Sequence, residues 1–180
     1  MAIKKWVLDP AHTQIEFKVK HMMISTVTGS FSEWNGNVET EDEDFMKANV
    51  TFNVMVASLS TGNADRDAHL KGPDFFDVAK YPTITFKATK YEAVDGDGSY
   101  ELFGDLTVKE VTRNIKLDVE FGGVVKDPWG NTKAGFTING KINRKDFGLV
   151  WNVVTEAGGI LVGEEVKIAC EVQLIEHRES

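Results

Sequence analysis

Apolar and polar side chains alternate with a period of two along most of this chain. The alternation is clear at residues 15–19, 48–56, 84–88, 102–108, 115–121, 136–142 and 166–174. Because successive side chains of an extended strand point to opposite faces, each segment predicts a strand with one face toward a core and the other toward water. Weaker alternation at 27–38 and 149–154 raises the predicted count to eight or nine strands.

The segments between these strands carry turn and helix signals. Residues 95–98, Asp-Gly-Asp-Gly, predict a tight hairpin. One stretch breaks the alternation: Asn63 can cap a short helix that ends at Lys71, and residues 73–77 predict one further turn. Antiparallel strands with a short helical insertion near one end predict an all-β barrel or sandwich, in a single domain spanning 1–180. Closing the sheet removes unpaired edge strands, which favours the barrel.

The charge balance and the apolar runs exclude several kinds of partner. Acidic residues outnumber basic ones 28 to 20, giving a net charge of −8, so nucleic-acid binding or a broad electrostatic attachment to anionic lipid is not expected. No run approaches the ~20 apolar residues of a membrane-spanning helix, so no stable membrane insertion is expected. The N-terminus has no apolar run of signal-peptide length, which predicts a cytoplasmic protein unless a presequence was removed.

Residues with catalytic or metal-binding chemistry are sparse. The chain carries none of the common nucleotide, hydrolase or metalloprotease motifs. His12, His21 and His69 lack the close spacing of metal ligands, so neither a metal nor a cofactor is expected. The single cysteine, Cys170, lies in an apolar stripe and is expected to be a buried structural thiol.

Small residues interrupt the apolar stripes, with Gly104 and Gly140 each placed between large apolar neighbours. An eight-stranded barrel is just wide enough either to be filled by side chains or to hold one small ligand. The glycines therefore have two interpretations: they open a channel with apolar walls, or they let the strands bend where the barrel closes.

Three segments of the chain closely resemble the YceI family, lipocalin-like bacterial proteins that bind polyisoprenoids and related lipids. They are residues 57–70 (ASLSTGNADRDAHL), 73–77 (PDFFD) and 81–86 (YPTITF). Further family marks are present at residues 6–9 (WVLD), 102–108 (LFGDLTV) and 144–148 (RKDFG). The resemblance covers nearly the whole chain, from Trp6 to about Leu174.

The resemblance implies an eight-stranded antiparallel barrel around an elongated apolar pore, without an established enzymatic mechanism and frequently as a homodimer. It implies non-enzymatic binding, storage or transport of a long-chain isoprenoid, such as an isoprenoid quinone or a polyprenyl phosphate, or of a fatty-acid-like amphiphile. The expected walls are Phe17, Val19, Val27, Phe52, Val54, Phe86, Leu106, Ile115, Phe136 and Ile138, with Gly104 and Gly140 beside the ligand. The helical insertion is expected to meet the head group at one end, together with His21, through Arg66, His69, Leu70, Phe75 and Phe76.

The head-group end leaves several alternatives open. A buried Arg66 needs an anionic partner. An internal carboxylate such as Asp9 or Asp77 is favoured over a ligand phosphate, and this predicts a neutral quinone or amide head. Alternatively, the phenylalanines of the insertion plug the barrel end. Two other functions are a stress-related interaction protein without a small ligand, and an enzyme that uses His21 or His69 beside aspartates in a substrate tunnel.

Overall fold

Eleven antiparallel strands and one α-helix build the part of the chain that the computed structural model describes, residues 3–22, 24–94, 98–152 and 162–177. The strands are β1 (Ile3–Leu8), β2 (Gln14–His21), β3 (Ser25–Phe31), β4 (Trp34–Glu41), β5 (Asp44–Met55), β6 (Leu59–Ser60), β7 (Thr83–Ala93), β8 (Ser99–Val108), β9 (Val111–Lys126), β10 (Thr132–Asn143) and β11 (Val162–His177). The helix α1 (Ala64–Lys71) lies between β6 and β7, and 3-10 turns occupy Val56–Ser58 and Arg144–Phe147.

Eight strands pair in a ring in the order β1-β4-β5-β7-β8-β9-β10-β11, and pairing of β1 with β11 closes it. The long strand β11 serves two partners along the same edge. From Val162 to Glu171 it pairs with β2, and from Leu174 to His177 it pairs with β1. Strand β2 continues the sheet to β3 and β6. The closed, lipocalin-like antiparallel barrel of eight strands predicted from the sequence is therefore confirmed.

The predicted helix is present with its predicted cap. The Asn63 side chain accepts a hydrogen bond of 3.0 Å from the backbone N–H of Arg66, and the helix ends at Lys71 before Gly72. The chain then turns back on itself, because the N–H of Phe76 donates to the carbonyl of Leu70 at 3.0 Å. No helix in the described part of the chain has both the length and the apolar character needed to cross a bilayer.

The expected strand at 149–154 and the expected hairpin turn at 95–98 are only partly covered by the described residues. The expected strand at 149–154 does not form at 149–152, and its last residues lie outside the described part of the chain. There the carbonyls of Leu149 and Trp151 accept hydrogen bonds from Arg144 instead of a strand partner. Of the predicted hairpin turn, residues 95–97 also lie outside the described part, but β7 and β8 pair directly up to Ala93 and Tyr100.

Aromatic rings fill one end of the barrel, which we call the distal end. The ring centroids of Trp6 and Phe45 lie 5.0 Å apart, those of Phe45 and Phe136 lie 5.0 Å apart, and Phe121 stacks on Phe136 at 5.1 Å. The buried indole N–H of Trp6 donates to Thr40 at 2.9 Å, so this polar atom is satisfied. The helix α1, the 3-10 turn at Arg144–Phe147 and the start of β11 lie at the opposite end, which we call the α1 end.

Candidate ligand-binding cavity

A cavity of about 420 Å³ occupies the barrel interior, from the distal aromatic rings to helix α1. This volume falls within the range of about 300–1,000 Å³ typical of small-molecule sites. The inward rows of the strands line it almost entirely with apolar side chains. The structure brings together all ten predicted wall residues around it: Phe17, Val19, Val27, Phe52, Val54, Phe86, Leu106, Ile115, Phe136 and Ile138.

The two glycines predicted to lie beside the ligand are not part of the cavity lining. A side chain at Gly104 would collide with the ring of Phe86, which already covers this position. At Gly140, a Cβ atom would lie 2.6 Å from Cδ2 of Leu117 on the paired strand. The expectation of an open wall at both glycines is therefore corrected: each leaves room for a neighbouring strand's side chain rather than for a ligand.

The cavity reaches the protein surface at the α1 end. Lys20 and His69 are both exposed and both line it. The His69 ring meets the ring of Trp151 edge-on at 4.7 Å and that of Phe75 at 5.2 Å, and across the opening His21 pairs with Val162. We call this opening the mouth. The structure thus places the remaining predicted head-group residues together along this end of the lining: His21, Arg66, His69, Leu70, Phe75 and Phe76.

Arg66 lies in the lining but does not have the partner expected from the sequence. Its Nε donates to the hydroxyl of Thr61 at 2.7 Å and its Nη2 to the carbonyl of Thr61 at 2.8 Å. The expected carboxylates of Asp9 and Asp77 form no ion pair with it. Asp9 is instead held by Lys133 at 3.0 Å and by a neighbouring histidine. The Thr61 hydroxyl in turn donates to the Asp67 carboxylate at 2.5 Å, so a carboxylate is linked to Arg66 through one hydroxyl rather than by direct contact.

Arg144 is a second cation in the lining, and it is 3% exposed. Its guanidinium donates to four backbone carbonyls: Nε to Gly163 at 2.8 Å, Nη1 to Leu149 at 2.6 Å and Trp151 at 2.9 Å, and Nη2 to Val162 at 3.2 Å. None of these acceptors carries a negative charge. Arg144 therefore clamps the 3-10 turn to the start of β11 and brings to the mouth a positive charge that no carboxylate of the described residues contacts directly.

Burial lowers the pKa of Arg144, although Glu164 nearby partly offsets this effect. A guanidinium still remains protonated at any physiological pH. Sequence reasoning placed Arg144 in a family motif but not in the site. The sequence did carry one indication that Arg144 belongs to the site: it follows the apolar end of a strand, in a chain that has few arginines.

The inner walls carry polar groups that stay uncharged. Burial raises the pKa of Tyr91 to about 12 and also raises that of Tyr100, and the Tyr91 hydroxyl donates to the carbonyl of Ala48 at 2.7 Å. Burial raises the pKa of the Cys170 thiol to about 11, and this thiol faces the cavity. The described residues contain no cluster of three His, Cys, Asp or Glu side chains able to hold a metal ion. The arrangement is suited to holding an apolar chain, with charge at one end.

Comparisons with known proteins agree with this architecture. The family model described as YceI-like domain matches residues 6–174. A UPF0312 protein of Staphylococcus aureus (SA2479) is 36% identical over 169 residues, covering 93% of this chain and 95% of its own length. The crystal structure of the Campylobacter jejuni YCEI protein is 34% identical, with a TM-score of 0.70 over 89% of this chain and 90% of that one.

A more distant structural neighbour carries a description of its ligand class. It is a polyisoprenoid binding domain from Saccharophagus degradans, implicated in plant cell wall breakdown. It shares 15% sequence identity and has a TM-score of 0.65, covering 96% of this chain and 98% of that one. At this identity the likeness shows a common fold.

Proposed function

The chain belongs to the YceI-like family, and from this and the cavity we propose that it binds one long-chain, isoprenoid-like lipid and carries or stores it without changing it chemically. The observation that carries the proposal is the cavity itself: a continuous apolar lining that begins at the distal rings and reaches the surface beside two arginines. The polyisoprenoid binding domain among the structural neighbours supports the same ligand class.

Apolar burial supplies the driving force. Removing apolar surface from water contributes about 25 cal/mol per Å², so a tail that buries about 400 Å² gains about 10 kcal/mol. Association costs at least about 4 kcal/mol in lost translation and rotation, which leaves a surplus for binding. This free-energy balance contains no contribution from the head group. The apolar tail therefore supplies most of the affinity, and the mouth determines which head group is preferred.

The charges at the mouth favour an anionic head group. Arg66 and Arg144 both line the cavity, and neither has a carboxylate within ion-pair distance in the described chain. A desolvated cation is stabilised by a phosphate or carboxylate far better than by a neutral carbonyl. The sequence-based preference for a quinone or amide head took Asp9 or Asp77 as the partner of Arg66, and neither contacts it; Asp67 reaches Arg66 only through the Thr61 hydroxyl. We therefore favour a phosphate or carboxylate head.

Organic extraction of the purified protein followed by mass spectrometry tests the carrier function directly. A carrier should release a stoichiometric long-chain lipid, and incubation should leave the mass of that lipid unchanged. Turnover of the lipid would favour the enzymatic alternative. A protein without any bound lipid, which also fails to bind added geranylgeranyl phosphate, would favour the interaction protein.

Competition between two probes with the same tail tests the head group. Geranylgeranyl phosphate should bind the delipidated protein at least ten-fold more tightly than geranylgeraniol, because a charge-assisted contact contributes about 1.5–3 kcal/mol. Arg66→Gln should lose much of this preference, whereas Arg113→Gln, at an exposed arginine outside the cavity lining, should keep it. Equal affinity of the wild type for both probes would contradict an anionic head.

The homodimer and the cytoplasmic location expected from the sequence remain predictions. Light scattering coupled to size-exclusion chromatography tests the first, and fractionation of the native cells tests the second.

A further inference from the structure

Three lysines lie directly opposite one another on the outer face of three adjacent strands. Lys18 of β2 pairs with Lys167 of β11, and Lys167 pairs with Lys141 of β10. All three are exposed, and none has a carboxylate within ion-pair distance in the described chain. Like charges directly opposite each other destabilise a sheet. The three lysines, which we call the lysine row, therefore cost stability that the fold does not recover by internal pairing.

The lysine row lies in a broad outer groove of about 720 Å³. The groove also contains Arg113 and Lys116, the amides of Asn114, Asn139 and Asn143, and the two carboxylates of Asp118 and Asp146. Lys116 is held by Glu101 at 2.9 Å and lies 3.9 Å from Asp118. Cations thus outnumber carboxylates in the groove, although the whole chain carries a net charge of −8.

Toward the mouth, this outer face carries a further lysine on β2 and the exposed carboxylate of Glu165 on β11. Lys20 follows Lys18 on the same face of β2, is exposed and belongs to the cavity lining. The turn after β2 presents Ile24, which is 83% exposed, and Val150 beside Trp151 is 61% exposed. The opposite, distal end carries the acidic turn at residues 39–44 between β4 and β5. The charge distribution is therefore polarised along the barrel.

We propose that the lysine row docks the barrel reversibly on a bilayer that contains anionic phospholipids, with the mouth directed toward the membrane. This inference rests on the proposed function, because a lipid with a long apolar tail has to enter from a membrane and return to one. Lysines at the bilayer surface attract anionic head groups, whereas the acidic distal end is repelled, so the charges orient the protein. The net charge of the chain alone suggested no attachment to anionic lipid. Charges farther apart than the Debye length of about 8 Å are largely screened, so attraction to a bilayer depends on the charges of the face that meets it.

Vesicle co-sedimentation tests the docking. Wild-type protein should bind vesicles of phosphatidylcholine with phosphatidylglycerol, release from them at high salt, and bind pure phosphatidylcholine weakly. The triple variant K18Q/K141Q/K167Q should lose binding by roughly a hundred-fold. The matched control K5Q/K47Q/K126Q removes the same charge from exposed lysines outside the groove and the cavity lining, and it should bind nearly as well as wild type.

Ile24→Ser should weaken binding several-fold, whereas Val125→Ser, at a 63% exposed valine near the distal end, should not. Thermal unfolding checks that each variant is folded. The lysine-row variant should be at least as stable as wild type, because its like charges on opposite strands are removed. Equal loss in both triple variants, or equal binding of wild type to neutral and anionic vesicles, would overturn the proposal. Binding to heparin without binding to anionic vesicles would overturn it as well and assign the row to an acidic macromolecule.

Mass spectrometry of the copurified lipid separates this proposal from the carrier function. If the lysine-row variant keeps its lipid but loses vesicle binding, docking and cargo binding are distinct and both stand. If wild type carries no lipid and binds no added probe, the carrier function fails, and the membrane-transfer role of the row fails with it. If wild type carries lipid but does not bind anionic vesicles, only the docking fails.

Discussion

Replacing Arg144 should open the mouth of the barrel and destabilise the whole fold. Its guanidinium is 3% exposed and binds the carbonyls of Leu149, Trp151, Val162 and Gly163 at 2.6–3.2 Å. Each hydrogen bond to a charged group contributes about 1.5–3 kcal/mol. Burying the cation costs several kcal/mol, which offsets part of this gain. We therefore expect Arg144→Met to lower the free energy of unfolding by about 3 kcal/mol.

Arg144→Lys should recover only part of this loss. A lysine has one ammonium, whereas the four carbonyls surround three separate nitrogens of the guanidinium plane. Urea unfolding measures the effect: with a slope of about 2 kcal/mol/M, a loss of 3 kcal/mol moves the midpoint by about 1.5 M. Arg113→Met is the control, because this exposed arginine makes one hydrogen bond of 3.3 Å, to the carbonyl of Asp146. A midpoint for Arg144→Met equal to that of the control would refute the clamp.

Three further predictions concern packing, pH and reactivity. Gly104→Ala should lower the free energy of unfolding by about 1–3 kcal/mol, because the new methyl group overpacks against Phe86. Adding Phe86→Leu to the same chain should restore part of this loss. If urea unfolding instead shows that the double variant loses the sum of the two single losses, the contact is contradicted. Burial alone would raise the pKa of Asp9, but hydrogen bonds from His12 and Lys133 outweigh this effect, and the net pKa is lowered. The ionised carboxylate therefore stabilises the fold above about pH 4. The stability gap between wild type and Asp9→Asn should therefore close as the pH falls through the lowered pKa, and a gap that persists in strong acid would contradict this. Cys170, with a pKa of about 11, should react with iodoacetamide at pH 8 at least about ten-fold more slowly than a free thiol, because the smaller thiolate fraction outweighs its greater nucleophilicity, whereas a rate like that of glutathione would contradict the raised pKa.

The period-two alternation predicted the strands and which side chains share a face, because successive side chains of a strand point to opposite faces; the eight-stranded barrel with its pore was what the family resemblance implied. Phe17 and Val19 share a face of β2, and Phe136 and Ile138 share a face of β10, so every such pair lies on the same side of the sheet. The closure of the sheet around them follows from the removal of unpaired edges. These arguments are local, and the structure confirms the fold to which they lead.

The mouth could not be predicted in the same way, because its contacts join segments that are distant in sequence or irregular in backbone. Arg66 binds Thr61 rather than a carboxylate because the capped start of α1 brings residue 61 back beside the guanidinium. Arg144 binds carbonyls that become available when residues 149–152 do not form a strand. Gly104 was misinterpreted because the Phe86 ring covers its inward face. The alternation of a strand shows which face a side chain lies on, but it does not show how far a ring extends over its neighbours.

The position of Arg144 connects stability to binding. A guanidinium has five N–H groups, and the four carbonyls around Arg144 leave its positive charge without a directly bound countercharge, and Glu164 nearby offsets that charge only in part. An anionic head group at the mouth would supply that countercharge, so the same residue that holds the turn against β11 would be stabilised by the cargo. Saturation at a hundred times the dissociation constant adds about 2.7 kcal/mol to the stability of a folded protein. The loaded barrel is therefore expected to unfold at a higher urea concentration than the empty one.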